Sequence, residues 1–137
     1  MITKICEKVY LGSLKDAEAL LASNALSIVS VLTLCPEAVS HRASGVEYVC
    51  APFADCRPIS AQEFDAVMAA ITRGVRRGNL LIHCVGGMSR SPIMAAAWMH
   101  RCGYLNFDEA LLAIERLRPI IDPSPVLLRS VGEHLCR

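Results

Sequence analysis

The sequence predicts an α/β fold, with a central, mainly parallel sheet flanked by helices. Three observations carry this. Short apolar runs rich in β-branched residues alternate with amphipathic helical stretches, the pattern of strand–crossover–strand units. The run 27–34 (SIVSVLTL) is mostly apolar on both faces, as a strand covered by helices on each side must be. At 79–102 a short apolar strand, a glycine-containing turn and a helix follow one another, the unit that open α/β sheets use to bind ligands beyond their strand ends.

The elements are predicted in order. Val9 to Leu11 reads as a short strand closed by Gly12. Leu14 to Ser23 reads as a helix, with Leu14, Ala17, Leu20 and Leu21 on one face. The strand over 27–34 follows, then a polar connection from Cys35 to Gly45, then a strand from Val46 to Ala51 ended by Pro52. After a loop over 53–60, Ser60 and Glu63 form a capping box and open a helix to about Arg77, with Gly78 at its C-terminal end. Asn79 to His83 is the next strand. A turn over Cys84–Arg90 leads into a helix to about Cys102. Asn106 caps a helix over Phe107 to Leu117. Pro119, Pro123 and Pro125 break the chain, and Ser124 starts a last helix.

The chain has 137 residues, which predicts one domain spanning 1–137. Hydrophobic residues make up 53% and charged residues 20%, which excludes a disordered chain. Lys and Arg number 14 against 13 Asp and Glu, so the net charge is +1. That balance argues against a nucleic-acid binder and against an anionic-membrane surface helix. The opening MITKICEKVY has no apolar signal core, and the longest apolar run, Ile93 to Met99, is far short of a bilayer span. The expectation is a soluble, cytoplasmic protein. Seven cysteines without a C-x-x-C pair suggest neither a disulfide framework nor a zinc site, and no cofactor or metal is called for. His41, His100 and His134 show no metal-ligand spacing, and the Arg73, Arg76, Arg77 cluster reads as a solvated helix end that complements the dipole. Ile93, Ala96, Ala97 and Met99 read as a core stripe.

The informative segment is Leu80-Leu81-Ile82-His83-Cys84-Val85-Gly86-Gly87-Met88-Ser89-Arg90-Ser91-Pro92. The strand delivers Cys84 to its C-terminal end, and the glycines let the backbone turn tightly around a ligand. Pro92 is tolerated in the first helical turn. Such a turn aims several N–H groups into one concavity beside a helix N-terminus, which holds an anion. No Gly-Lys-Ser/Thr follows the glycines, so this is not a P-loop nucleotide site. A free cysteine near pKa 8.5 is only about 3% thiolate at pH 7, and cysteines at helix N-termini beside cations titrate at roughly 3.5–7.5. Cys84 occupies that position. Arg90 adds a planar fork that matches two phosphate oxygens. A thiolate beneath a bound phosphate is a nucleophile poised for in-line attack.

HCVGGMSRS resembles the His-Cys-x5-Arg signature of the cysteine-dependent protein phosphatases, and the Ser-Arg-Ser ending and the small domain are most similar to the dual-specificity phosphatase family. The resemblance extends to Val-Tyr-Leu-Gly-Ser at 9–13, Pro-Phe-Ala-Asp at 52–55, the Ala/Trp/Met helix after the signature and Arg118-Pro119. It implies a protein-tyrosine-phosphatase-like fold and a two-step reaction. Cys84 attacks phosphorus and water then hydrolyses the thiophosphate ester. The amides of Val85, Gly86, Gly87, Met88, Ser89 and Arg90, with the Arg90 side chain, hold the phosphoryl oxygens. Ser91 hydrogen-bonds the sulfur and eases its departure. His83 lies behind the cysteine and organises the loop. The family's general acid matches Asp55, and the residues agree, because Asp55 follows a strand and its loop reaches the same sheet edge as Cys84 if the strands are parallel. Asp65 is the rival, inside a helix, and Asp122 ranks lower, in a Pro-rich loop. A thiolate–Asp pair implies a bell-shaped pH–rate profile with a mildly acidic optimum.

The expected substrate is a phosphorylated protein or peptide, on tyrosine and on serine or threonine, because a short chain with few insertions suggests a shallow pocket. No lysine lies between Cys84 and Arg90, which disfavours a multiply phosphorylated lipid. The alternatives are a module that binds phosphate without turnover, and a phosphatase for a glycan, lipid or RNA phosphate. Arg57 and Arg118 are weaker candidates for a second anion contact at the rim, and Cys56 is a weaker candidate to trap an oxidised Cys84 as a disulfide. Two departures from the family pattern stand out. Gly86 replaces a common alanine, and the run 120–125 lacks the usual asparagine.

Overall fold

A computed structural model describes residues 1–137. Five strands form one sheet: β1 (Thr3–Cys6), β2 (Val9–Gly12), β3 (Ile28–Thr33), β4 (Glu47–Cys50) and β5 (Asn79–His83), in the order β1-β2-β5-β3-β4. Helix α1 (Leu14–Ala19) follows β2, and α2 (Ala61–Arg77) links β4 to β5. Helices α3 (Arg90–Arg101), α4 (Phe107–Leu117) and α5 (Pro125–Leu135) complete the chain. The pairs β2–β5, β5–β3 and β3–β4 are parallel, and only β1 runs antiparallel, against β2. The expected α/β architecture is the one found.

Alternation along the strands splits the core in two. Val9, Leu11, Leu80 and Ile82 face a large layer built with α2–α5, whereas Tyr10 and Leu81 face a small layer that includes Ala17 of α1 and Leu20 just after it. α3 runs through the large layer, and Ser91 to Met99 are all buried. Removing Ile93, Met94 and Met99 from water stabilises the fold by about 1.5–3 kcal/mol each. No helix is long and apolar enough to cross a membrane.

The register places the site. Gly12 pairs with His83, His83 with Thr33, and Thr33 with Cys50, so the four parallel strands end level. The segments after β4 and β5 therefore leave the sheet at one edge. A capping box starts α2 at Ser60/Glu63 and Asn106 caps α4, both as predicted; Glu109 completes a second box at Asn106, and a third at Ser13/Asp16 starts α1. Two readings are corrected. The helix from Leu14 ends at Ala19 rather than Ser23, and Leu21 is exposed, because the chain turns at 20–27 to enter β3. β1 was not expected. Four residues containing Lys4 carry too little apolar signal, and pairing with β2 is what makes them a strand.

Candidate active site

The loop from Cys84 to Ser89 closes the level edge of the sheet. All of its carbonyls but that of Gly86 are tied to partners around the loop. Cys84 O meets His83 Nδ1 at 3.1 Å. Val85 O accepts from Leu14 N–H at 3.0 Å and Met88 O from Asp122 N–H at 2.8 Å. Gly87 O accepts from Arg118 Nε at 2.9 Å, and Ser89 O from Ile93 N–H at 3.2 Å. The N–H groups of Val85, Gly86, Gly87, Met88 and Ser89 donate to no protein acceptor. A run of free donors beside the start of α3 has the makings of an anion nest. Gly87 makes the turn possible. Its φ is +68°, and a Cβ there would lie 2.5 Å from Gly12 O.

Cys84 is buried at the floor, with Sγ 3.3 Å from Ser91 Oγ. Behind it, His83 is fully buried, and its Nε2 lies 2.7 Å from Thr33 Oγ1. A carbonyl only accepts, so Nδ1 carries the ring hydrogen toward Cys84 O and Nε2 accepts from the Thr33 hydroxyl. Burial pushes the His83 pKa down, which agrees with a neutral ring. Arg90 donates through Nη1 to Phe53 O at 3.2 Å, and its buried Nε–H meets no protein acceptor. The guanidinium forms no salt bridge.

A cavity of about 380 Å³ opens above this floor, with Asp55, Cys84, Arg90 and Asp122 in its wall. The predicted residues thus come together, and Val85, Gly86, Met88 and Ser89 line the same cavity, while Gly87 sits buried beneath it. Asp55 is half-buried, and its Oδ1 accepts from Cys56 N–H at 2.9 Å and from Ser89 Oγ at 2.9 Å. Asp65 is elsewhere, paired with Arg137 on the outer face of α2. Asp122, ranked low from sequence, lines the cavity through the 118–124 connection.

Four findings were not read from the sequence. The Ser89 hydroxyl joins Asp55 to the backbone of Ser124. Arg118 is no rim cation. It is buried under the loop, donating to Gly87 O, Met1 O and Thr3 Oγ1. Arg57 does not line the cavity, whereas exposed Cys56 does. Arg73 and Arg77 pair with Glu47 rather than standing free.

Comparisons with known proteins follow the same geometry. The family model for the dual specificity phosphatase catalytic domain matches residues 9–135. The chain is 30% identical over 128 residues to dual specificity protein phosphatase 22-B of Danio rerio, covering 90% of this chain and 68% of that one. It is 28% identical over 115 residues to dual specificity protein phosphatase 21 of Homo sapiens, covering 82% of this chain and 60% of that one. The crystal structure of human DUSP28 superposes with a TM-score of 0.84 at 22% identity, over 98% of this chain and 95% of that one. The crystal structure of PTPMT1 in complex with PI(5)P superposes with a TM-score of 0.79 at 21% identity, over 98% and 94%.

Proposed function

The chain belongs to the dual specificity phosphatase catalytic-domain family, and from that premise we propose that residues 1–137 form one catalytic domain in which Cys84 is the nucleophile of a two-step phosphomonoester hydrolysis. The Cys84 thiolate attacks phosphorus in line while the bond from phosphorus to the leaving oxygen breaks. Asp55 gives its proton to that oxygen. The product stays as cysteinyl phosphate until water attacks phosphorus and passes a proton to the Asp55 carboxylate. The sulfur then leaves as thiolate, helped by the Ser91 hydroxyl at 3.3 Å. Through both steps the phosphoryl oxygens rest on the amides of 85–90 and on Arg90.

The observation that carries this reading is the set of consecutive N–H groups without a protein acceptor, over a buried cysteine and beside an unpaired guanidinium Nε–H. Val85, Gly86 and Met88 face solvent, so these donors are open to an incoming ligand, and consecutive free N–H groups beside the buried Arg90 Nε–H suit an oxyanion. His83 supports the reading as a scaffold, since a buried neutral ring with both nitrogens engaged has no proton to exchange.

The substrate favoured is a protein or peptide phosphorylated on tyrosine or on serine/threonine. The cavity offers one cation, Arg90, against two carboxylates, Asp55 and Asp122. That charge set suits a single phosphate and disfavours a second one on the same molecule. The test is hydrolysis of p-nitrophenyl phosphate in EDTA, with vanadate as inhibitor. Activity that persists in EDTA, is blocked by vanadate and is abolished in Cys84→Ser, with phosphate binding retained, is expected. No turnover by the wild-type chain overturns the enzymatic reading in favour of a phosphate-binding module. A panel of phosphopeptides with a phosphoinositide and a phosphoglycan then tests the substrate class. Faster turnover of the lipid or glycan overturns the protein assignment.

A further inference from the structure

We propose that the Ser89 side chain is a positioning residue that fixes which oxygen of Asp55 delivers the proton. Ser89 stands at the N-cap of α3, where a serine hydroxyl ordinarily turns onto the helix's own amides. Here it makes no capping bond, and its backbone (φ −124°, ψ −71°) directs it elsewhere. Its Oγ accepts from Ser124 N–H at 3.0 Å and lies 2.9 Å from Asp55 Oδ1. With the Ser124 amide on its lone pair, the hydroxyl hydrogen points to Asp55. Asp55 Oδ1 receives a second donor, Cys56 N–H, also at 2.9 Å. An oxygen that accepts from two donors is a poor seat for an acidic proton. The proton therefore sits on Oδ2, the oxygen with no protein partner.

Ser89 is itself buried, so its two hydrogen bonds act in a medium that makes them strong. One hydroxyl thus joins the phosphate loop, the acid loop after β4 and the connection before α5. The inference rests on Asp55 being the general acid, and it adds that the acid's aim is set from the phosphate loop itself. A hydroxyl that served only as loop glue would affect every substrate alike. A positioning hydroxyl matters only when the leaving oxygen needs a proton.

The test compares Ser89→Ala, Ser89→Thr, Asp55→Asn and the double variant Asp55→Asn/Ser89→Ala. Each is assayed on a phosphoserine peptide and on p-nitrophenyl phosphate. Ser89→Ala is expected to lower kcat on phosphoserine about 10–100-fold, with KM changed little, the size of one charge-assisted hydrogen bond. Its loss on the nitrophenyl ester is expected to be at least fivefold smaller, and Ser89→Thr restores most of the rate on phosphoserine. The double variant should be no slower on phosphoserine than Asp55→Asn alone, within about threefold, because Ser89 acts through Asp55. Equal losses on both substrates in Ser89→Ala, or losses that multiply in the double variant, overturn the positioning role while leaving Asp55 as the acid. If Asp55→Asn itself loses equally on both substrates, the acid reading falls and this inference falls with it. Should Ser89→Ala not fold, Ser89→Cys, similar in size with a weaker donor, supplies the same comparison.

Discussion

Two adjacent glycines in the phosphate loop should respond oppositely to the same substitution. Gly87 has φ +68°, and an added Cβ would lie 2.5 Å from Gly12 O and 2.6 Å from an Nη of Arg118. Neither neighbour can yield. Gly12 is locked in β2 opposite His83, and buried Arg118 is held by hydrogen bonds to Gly87, Met1 and Thr3. The left-handed conformation costs an alanine about 1–2 kcal/mol. Moving the loop to relieve the overlap sacrifices the hydrogen bond from Arg118 to Gly87 O, about 1.5–3 kcal/mol for a charged donor. Together Gly87→Ala should lose about 2.5–5 kcal/mol, a fall in Tm of roughly 8–20 °C for a domain of this size. Displacing the amides by even an ångström should cost about 100-fold in kcat/KM. At Gly86 the nearest atoms to a new Cβ are 3.6 Å away, on the Met88 side chain, and φ is not positive. Gly86→Ala should change stability by no more than about 0.5 kcal/mol. Thermal melts and p-nitrophenyl phosphate kinetics on both variants decide it. A Gly87→Ala protein as stable and active as Gly86→Ala would refute the account of the loop.

Replacing the two cavity carboxylates separately should distinguish them. Asp55→Asn is expected to lose about 10²–10³ on a phosphoserine peptide and far less on p-nitrophenyl phosphate, while Asp122→Asn changes both by less than about threefold. The reverse order would assign the acid to Asp122. A tetrahedral oxyanion such as phosphate or tungstate, at a hundred times its Kd, should stabilise the fold by about 2.7 kcal/mol, and a melt unmoved by saturating anion would contradict the nest. His83 should contribute to acid sensitivity. Its pKa is held below the ordinary 6.5 by burial, so below that value the unfolded chain binds the proton that the folded chain refuses. The contribution is complete above about pH 6.5 and is lost as pH falls further. Urea midpoints between pH 5 and 7.5 should fall less steeply in His83→Gln, and parallel slopes would exclude the effect.

Legibility in the sequence followed the range of the interactions. α2, β5 and α4 were predicted within a residue, because Ser60/Glu63, Gly78 and Asn106 are local signals that the structure uses as capping residues. The turn from Cys84 to Arg90 was legible for the same reason, since both residues lie in one continuous segment between β5 and α3. Asp55 needed one more step, the inference that parallel strands end at one edge, and the level register of Thr33, Cys50 and His83 supplies it. The Ser89 hydroxyl and Arg118 escaped detection because their partners, Asp55, Ser124, Gly87 and Thr3, are brought to them only by the fold. An arginine beside a proline looks like a surface cation until the carbonyls it will satisfy are in place. In the run 120–125, which lacks the usual asparagine, the amides of Asp122 and Ser124 tie down Met88 O and Ser89 Oγ.

The loop is locally unfavourable, and that is the physical reason so much of the chain converges on it. A segment with consecutive unpaired amides, a left-handed glycine and a buried, unpartnered Arg90 Nε–H would relax if left alone, turning its peptide planes to pair their own groups. What prevents this is the outward tethering of its carbonyls by α1, by His83, by Arg118 at the end of α4, by the connection before α5 and by the first turn of α3. Each tether fixes one peptide plane, and a plane with its oxygen held outside must show its hydrogen inside. If the loop binds an anion as proposed, its affinity depends on these five attachments as much as on the residues that touch the ligand. It also follows that Leu14 and Asp122 hold the loop through backbone N–H groups that only proline would remove, which leaves Arg118 and His83 as the tethers that an ordinary side-chain change can cut.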